Sequence, residues 1–163
     1  MPDLVGVDEG VLCFRKTKPT GSVRFFLWNS VTNQSVKISV PNVVSSGTIL
    51  RSGFCFHKDN QEFCIVLIWS STNNLEPTYM SVFSSFNRKW SDVSEPVYDA
   101  NSLFDSSIHI DGKIYWLSSN KDINYGELNV LVSFDVKERT WSINKIILKL
   151  LAGSCVGQVQ VIS

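Results

Sequence analysis

Three stretches of this chain carry one signature at a spacing of about fifty residues, which limits the chain to architectures built from stacked, similar units. Each stretch is an apolar strand ending in an aromatic, then a polar residue, then a turn: Phe26-Leu27-Trp28-Asn29-Ser30-Val31-Thr32-Asn33, Val82-Phe83-Ser84-Ser85-Phe86-Asn87-Arg88-Lys89-Trp90, and Ser133-Phe134-Asp135-Val136-Lys137-Glu138-Arg139-Thr140-Trp141. The aromatics Trp28, Phe83 and Phe134 stand 55 and 51 positions apart. In the second and third copies a tryptophan, Trp90 or Trp141, follows seven positions later, whereas the first copy has Ser35 there with Val36 beside it. The period matches the roughly 50 residues of a kelch-type propeller blade. The unit reads as a strand with its aromatic turned inward, a polar hairpin turn, and a next strand whose tryptophan packs back on the blade.

Strand signals fill the rest of the chain. Val23-Arg24-Phe25-Phe26-Leu27-Trp28 and Phe63-Cys64-Ile65-Val66-Leu67-Ile68-Trp69 are aromatic and β-branched. Asp111-Gly112 lies between two β-rich runs, and that dipeptide accepts the positive φ angles of a type I′ hairpin turn. Strands are expected near 10–14, 23–28, 35–39, 49–56, 62–69, 78–84, 106–111, 113–118, 129–134 and 140–145. The expected core is Leu12, Phe26, Trp28, Phe54, Ile65, Leu67, Phe83, Ile114, Trp116, Phe134 and Trp141. One stretch has helical spacing: Ile143, Ile146, Ile147, Leu150 and Leu151 share a helix face, although isoleucine-rich runs also suit strands. The fold expected is all-β, an open antiparallel kelch-like propeller fragment of about three blade-like repeats.

Charge excludes some functions. Fifteen basic and fifteen acidic residues cancel, whereas a duplex nucleic-acid binder carries a basic excess to neutralise phosphates. The one tight basic group, Arg15, Lys16 and Lys18, reads as a solvated turn. The longest apolar run has seven residues, 63–69, against about 20 for a membrane span. No positive region followed by a long apolar stretch opens the chain, so a cytoplasmic or nuclear location is expected, with no membrane partner. In that reducing setting the cysteines at 13, 55, 64 and 155 read as thiols. Cys55 and Cys64 would face each other across a hairpin turning at Asp59-Asn60.

Motifs for chemistry are sparse. Ser107, His109 and Asp111 alternate and so share one strand face, an order resembling nucleophile, base and orienter. Same-face neighbours on a strand stand about 6.6–7 Å apart along it, too far for a nucleophile–base hydrogen bond of about 2.6–3.2 Å. No catalytic residue is assigned. Without a close-spaced cysteine pair, and with only His57 and His109 as histidines, no metal ligand is assigned. Asp105, Asp111 and Asp122 miss the calcium-loop spacing, and no glycine-rich phosphate loop occurs, so no cofactor is expected. Trp28, Trp90, Trp116 and Trp141 sit at repeat positions and read as packing rather than as a ligand cage; Trp69 closes the apolar run.

Several segments together resemble the F-box-associated interaction domain of plant F-box proteins. Gly6-Val7-Asp8-Glu9-Gly10-Val11-Leu12-Cys13 is similar to its opening "G-S-C-N-G-L-L-C" strand. Leu27-Trp28-Asn29-Ser30-Val31-Thr32 is similar to "L-W-N-P-S-T", with Ser30 and Val31 replacing Pro and Ser. His109-Ile110-Asp111-Gly112-Lys113-Ile114-Tyr115-Trp116-Leu117 is similar to "V-N-G-x-x-H-W-L", with Asp111 for Asn and Tyr115 for His. Phe134-Asp135 followed by Trp141 looks like the later "I-x-S-F-D-x-x-x-E-x-F" segment. The resemblance marks 1–145 as the interaction domain and 146–163 as a poorly matching tail, either a truncated next strand or a short helix. The F-box that normally precedes such a domain has no room before Gly6, which reads as a fragment, a truncated gene product or a degenerate copy.

The resemblance implies a substrate adaptor of a Skp–cullin–F-box ubiquitin ligase. Its partner would be the target protein, and the Skp–cullin complex only with an F-box upstream. The alternatives are an unrelated kelch-like scaffold or carbohydrate-binding propeller fragment and, more remotely, a hydrolase.

Overall fold

The long apolar run becomes the middle of the molecule. In the computed structural model, which describes residues 1–45, 47–58, 61–71, 78–93, 100, 102–122, 126–149 and 158–162, it forms strand β6 (Glu62–Ser70). Every residue from Cys64 to Ser70 is buried. Ile65, Leu67 and Trp69 belong to one core cluster, and Cys64, Val66 and Ile68 to a second. A strand buried on both faces needs the continuous apolar pattern seen there rather than alternation.

Three antiparallel sheets stack in an arc. The first has β1 (Asp3–Asp8), β2 (Val11–Thr17), β3 (Val23–Asn29) and β4 (Gln34–Ser39). A single helical turn, α1 (Asn42–Ser45), leads to the second, β5 (Thr48–His57), β6, β7 (Thr78–Ser84) and β8 (Lys89–Val93). The third has β9 (Leu103–Ile110), β10 (Lys113–Asp122), β11 (Gly126–Asp135), β12 (Thr140–Lys149) and β13 (Gln158–Ile162). Strands are ordered by sequence within every sheet, so each is a meander of hairpins. This is the expected all-β, open, propeller-like arrangement of three repeats. The first strands of the sheets, β1, β5 and β9, touch one another and line the axis of the arc.

The repeat proves to be a turn device. The polar residue after each aromatic clamps the turn that follows. Asn29 Oδ1 accepts from the Val31 and Thr32 amides at 2.9 and 3.1 Å. Asp135 Oδ1 accepts from the Lys137 and Glu138 amides at 3.1 and 2.9 Å. Ser84 Oγ accepts from the Asn87 amide at 3.4 Å. Each turn then closes through a left-handed residue at the matching position: Asn33 (φ 54°), Arg88 (φ 54°) and Arg139 (φ 58°). The Asp111-Gly112 hairpin has φ of 49° and 77°, as a type I′ turn requires, and Glu9-Gly10 repeats it at 45° and 78°.

Several expectations are corrected. Side-chain parity in the first sheet is reversed: Val11, Cys13, Phe25 and Leu27 are buried, Leu12 and Phe26 only half-buried, and Trp28 is exposed. Phe25 is the residue aimed at the second sheet, its ring 6.2 Å from Trp90, while the Trp28 indole donates to Asn33 Oδ1 at 3.2 Å on the outer face. Trp141 is half-buried, stacked at an angle against Phe134 and Trp116. The helix expected over 142–151 is strand β12 up to Lys149, because the Ile143 and Ile146 backbones pair with Val132 and Asn129 of β11; residues 150 and 151 lie outside the described residues. Within the tail, β13 pairs with β12 and extends the third sheet. Strand β1 was not expected as a separate strand; β8, which carries Trp90, matches the tryptophan-bearing strand of the repeat unit although it lies outside the expected strand ranges. The remaining expected core residues, Phe54, Ile65, Leu67, Phe83, Ile114, Trp116 and Phe134, are buried. Cys55 and Cys64 are direct cross-strand partners with buried free thiols; the Asp59-Asn60 turn lies outside the described residues.

Candidate functional site

The repeat delivers one polar side chain from each inner strand to the same end of the axis. Asp8 closes β1, His57 closes β5 and His109 lies one residue before the end of β9, each just ahead of its hairpin turn. Asp8 Oδ2 meets His109 Nδ1 at 2.5 Å and accepts from the Phe56 amide at 2.7 Å. His109 Nε2 accepts from the Gly112 amide at 3.1 Å. Because Nε2 acts as the acceptor, the neutral ring carries its proton on Nδ1 and donates it to Asp8. The His57 ring stands edge-on to His109 at 5.6 Å, and its Nε2 lies 3.8 Å from Cys55 Sγ. One donor atom each from Cys55, His57 and His109 lies within 4.8 Å of the others. Cys55 is fully buried; its hydrogen bond with Cys64 and its burial push its thiol pKa far up, so it is a neutral thiol at neutral pH. Beside this cluster a hollow of about 250 Å³ is lined by His57, Glu62, Cys64 and Ser84, with Lys137 and Arg139 from the third sheet.

Spacing hid this grouping, since 52 positions separate His57 from His109 and 101 separate Asp8 from His109. The signal that could have revealed it is positional: each polar residue precedes the first hairpin turn of its repeat. The serine, histidine and aspartate of the alternating trio go separate ways. Ser107 Oγ donates to the Ser52 carbonyl at 3.4 Å, His109 pairs with Asp8, and Asp111 occupies an exposed turn position.

A second feature lies between the first and second sheets. A groove of about 650 Å³ is lined by Ile38, Phe63, Phe83 and Trp90, with Lys37 and Arg88 also contributing. Trp90 is pinned by a 2.9 Å hydrogen bond from Nε1 to the Ser39 carbonyl, and its ring lies 5.4 Å from Phe83. Both cations are exposed, and no carboxylate lines the groove among the described residues. Among the tryptophans, Trp116 and Trp69 are buried, Trp90 and Trp141 half-buried, and Trp28 stands on the outer face. They do not gather into one cage.

Comparison with known proteins places these features on a recognised scaffold. The family model described as KIB1-4 beta-propeller matches residues 2–154. No curated protein matches the chain. Among solved structures, the β-propeller domain of the Trilobed protease from Pyrococcus furiosus, described as having an open velcro topology, is similar with a TM-score of 0.50 at 10% identity. The match covers 98% of this chain and 53% of that one, so the chain spans about half the length of that propeller.

Proposed function

The chain belongs to the KIB1-4 beta-propeller family, and we propose that on this scaffold it works as a non-catalytic protein-interaction domain, the target-holding part of a plant F-box adaptor in a Skp–cullin–F-box ubiquitin ligase. The groove between the first two sheets carries the reading. Its apolar floor of Ile38, Phe63, Phe83 and Trp90 is bordered by Lys37 and Arg88 without a facing carboxylate among the described residues. Such a groove suits a peptide segment with an aromatic or aliphatic anchor flanked by acidic residues, since interface energy concentrates in buried aromatic anchors and rim charges set partner choice. The ordered F-box-associated motifs supply the finer assignment, with a cytoplasmic or nuclear target protein as partner.

The test fuses the chain behind an F-box module, assembles it with Skp and cullin subunits, and measures ubiquitin transfer to captured cellular proteins. A Lys37→Glu, Arg88→Glu double variant should lose at least tenfold of capture and transfer for the specific targets without losing its fold. Capture that survives this variant unchanged would reject the groove as the target site. Targets captured but never modified would reject the ligase assignment alone.

A further inference from the structure

We propose that Cys55, His57 and His109 bind a zinc-like divalent transition-metal ion at the axis end of the arc, with Asp8 orienting His109. The inference is independent of the peptide groove, which lies between other faces of the sheets.

The donor set has the right chemistry. One thiol sulfur and two imidazole nitrogens suit zinc and its neighbours in the first transition row, not magnesium or calcium, which take oxygen ligands. Distances agree as well. With a metal–sulfur bond of about 2.3 Å and a metal–nitrogen bond of about 2.0–2.1 Å, the edge of a tetrahedral site between sulfur and nitrogen is about 3.5 Å. Cys55 Sγ and His57 Nε2 stand 3.8 Å apart, and all three donors lie within 4.8 Å of one another. The Cys55 sulfur lies 3.8 Å from His57 and 3.9 Å from the Cys64 carbonyl, and its hydrogen bond with the Cys64 side chain is the interaction the ion must displace.

The surroundings are built like those of a ligand set. A metal-bound histidine characteristically donates its other N–H to a carboxylate, which fixes the tautomer and strengthens the ligand nitrogen. Asp8 does this at His109 Nδ1 and is itself held by the Phe56 amide. The Gly112 amide now donates to His109 Nε2 at 3.1 Å, and the ion would replace that donor at the lone pair. The nearest opening is the hollow of about 250 Å³ lined by His57, Glu62 and Cys64, so an ion would reach the buried Cys55 sulfur past His57, the one proposed ligand that faces it. The three ligands come from β5 and β9 and their carboxylate from β1, so the ion would tie all three inner strands together.

Binding breaks the Cys55 S–H bond, forms the sulfur–metal bond and releases one proton to solvent. Affinity should therefore rise with pH. The ionisable groups facing the site are Asp8 from β1, His57 from β5, Glu62 and Cys64 from β6, and Lys137 and Arg139 from the turn after β11.

Cobalt(II) and zinc titrations of the purified chain, under a non-thiol reductant to keep Cys55 and Cys64 from oxidising together, test the proposal. One equivalent of cobalt should bind with a thiolate-to-cobalt charge-transfer band and tetrahedral d–d bands, and zinc should displace it and raise Tm. Cys55→Ser should abolish the charge-transfer band. His57→Gln, at a half-buried position, should weaken binding more than tenfold while the metal-free melting temperature stays put. Asp8→Asn should weaken binding about 10–100-fold while keeping the band. Binding without the band, a band that survives Cys55→Ser, or affinity unchanged in His57→Gln would mean an adventitious ion only and overturn the site.

Discussion

Cys13 and Cys55 show how burial sets the chemistry of single residues here. Burial pushes the Cys13 thiol pKa well above its ordinary 9.0, and for Cys55 the hydrogen bond with Cys64 and then burial act in the same direction. Above pH 9 the unfolded chain ionises these thiols while the folded chain keeps them protonated, so the unfolded state binds fewer protons and stability falls as pH rises. The contribution is fully present below pH 9 and is lost at about 1.4 kcal/mol per pH unit for each thiol above it. Denaturant melts at pH 8, 9 and 10 should show this alkaline decline, and Cys13→Ala should remove about half of the slope. A slope identical in the variant would show that Cys13 ionises in the folded state. The pairing of Cys55 with Cys64 was legible in the sequence because hairpin register follows from turn position. The orientation of Trp28 was not. The aromatic-inward rule held for Phe83 and Phe134, whereas in the first sheet the neighbouring Phe25 takes the inward place and Trp28 keeps its indole near water.

Among the elements, β5 packs closely on β10 of the third sheet. At Gly53 an added Cβ would meet Ile114 Cγ2 at 2.7 Å and Trp116 Cζ2 at 2.8 Å, so β5 approaches β10 as closely as a missing side chain permits. Gly53→Ala should therefore cost about 1–3 kcal/mol by overpacking. Its cost should shrink by about 1 kcal/mol in an Ile114→Ala background, since contacting residues couple. Urea denaturation of the four proteins measures both quantities, and additive effects would place the contact elsewhere. Strands such as β6, β7 and β10 were legible because β-branched and aromatic residues cluster between turn signals. β1 was missed because Asp3-Leu4-Val5-Gly6-Val7-Asp8 has a glycine where the strand passes close to Phe54, 3.3 Å from an added Cβ, and glycine weakens a strand signal. The isoleucines of β12 satisfied helical and strand spacing alike, and only pairing with β11 decides between them.

For the whole molecule the repeat was the legible fact, and it correctly implied three stacked sheets. Invisible was the meeting of Asp8, His57 and His109, because it depends on how the sheets lean together rather than on any run of residues. The arc also leaves its two outer faces uncovered. Leu4 and Val7 are 56% and 57% exposed, with Leu12, Phe14, Phe26 and Trp28 beside them on the first sheet. On the third, Ile108 and Leu117 are 59% and 47% exposed next to Tyr115. Such faces drive association, as exposed contiguous apolar surface does in general. Light scattering after size exclusion should show mass rising with concentration. An Ile108→Lys, Leu117→Lys variant should shift toward monomer with Tm nearly unchanged. A parent chain that stays monomeric at high concentration would contradict this.

The sequential strand order within each sheet bears on how fast such a chain can find its structure. Within each sheet no strand must wait for a distant partner, since strands that pair are neighbours in sequence. Loop closure is thus confined to short connections, whose entropic cost is small and grows only slowly with length. The slow event left is the meeting of whole faces, and β6 has a share in both of those meetings. The central hairpin, whose strand β6 supplies residues to both cores, is therefore the surface on which locally paired sheets must dock over long sequence separations, the kind of contact that slows folding in general.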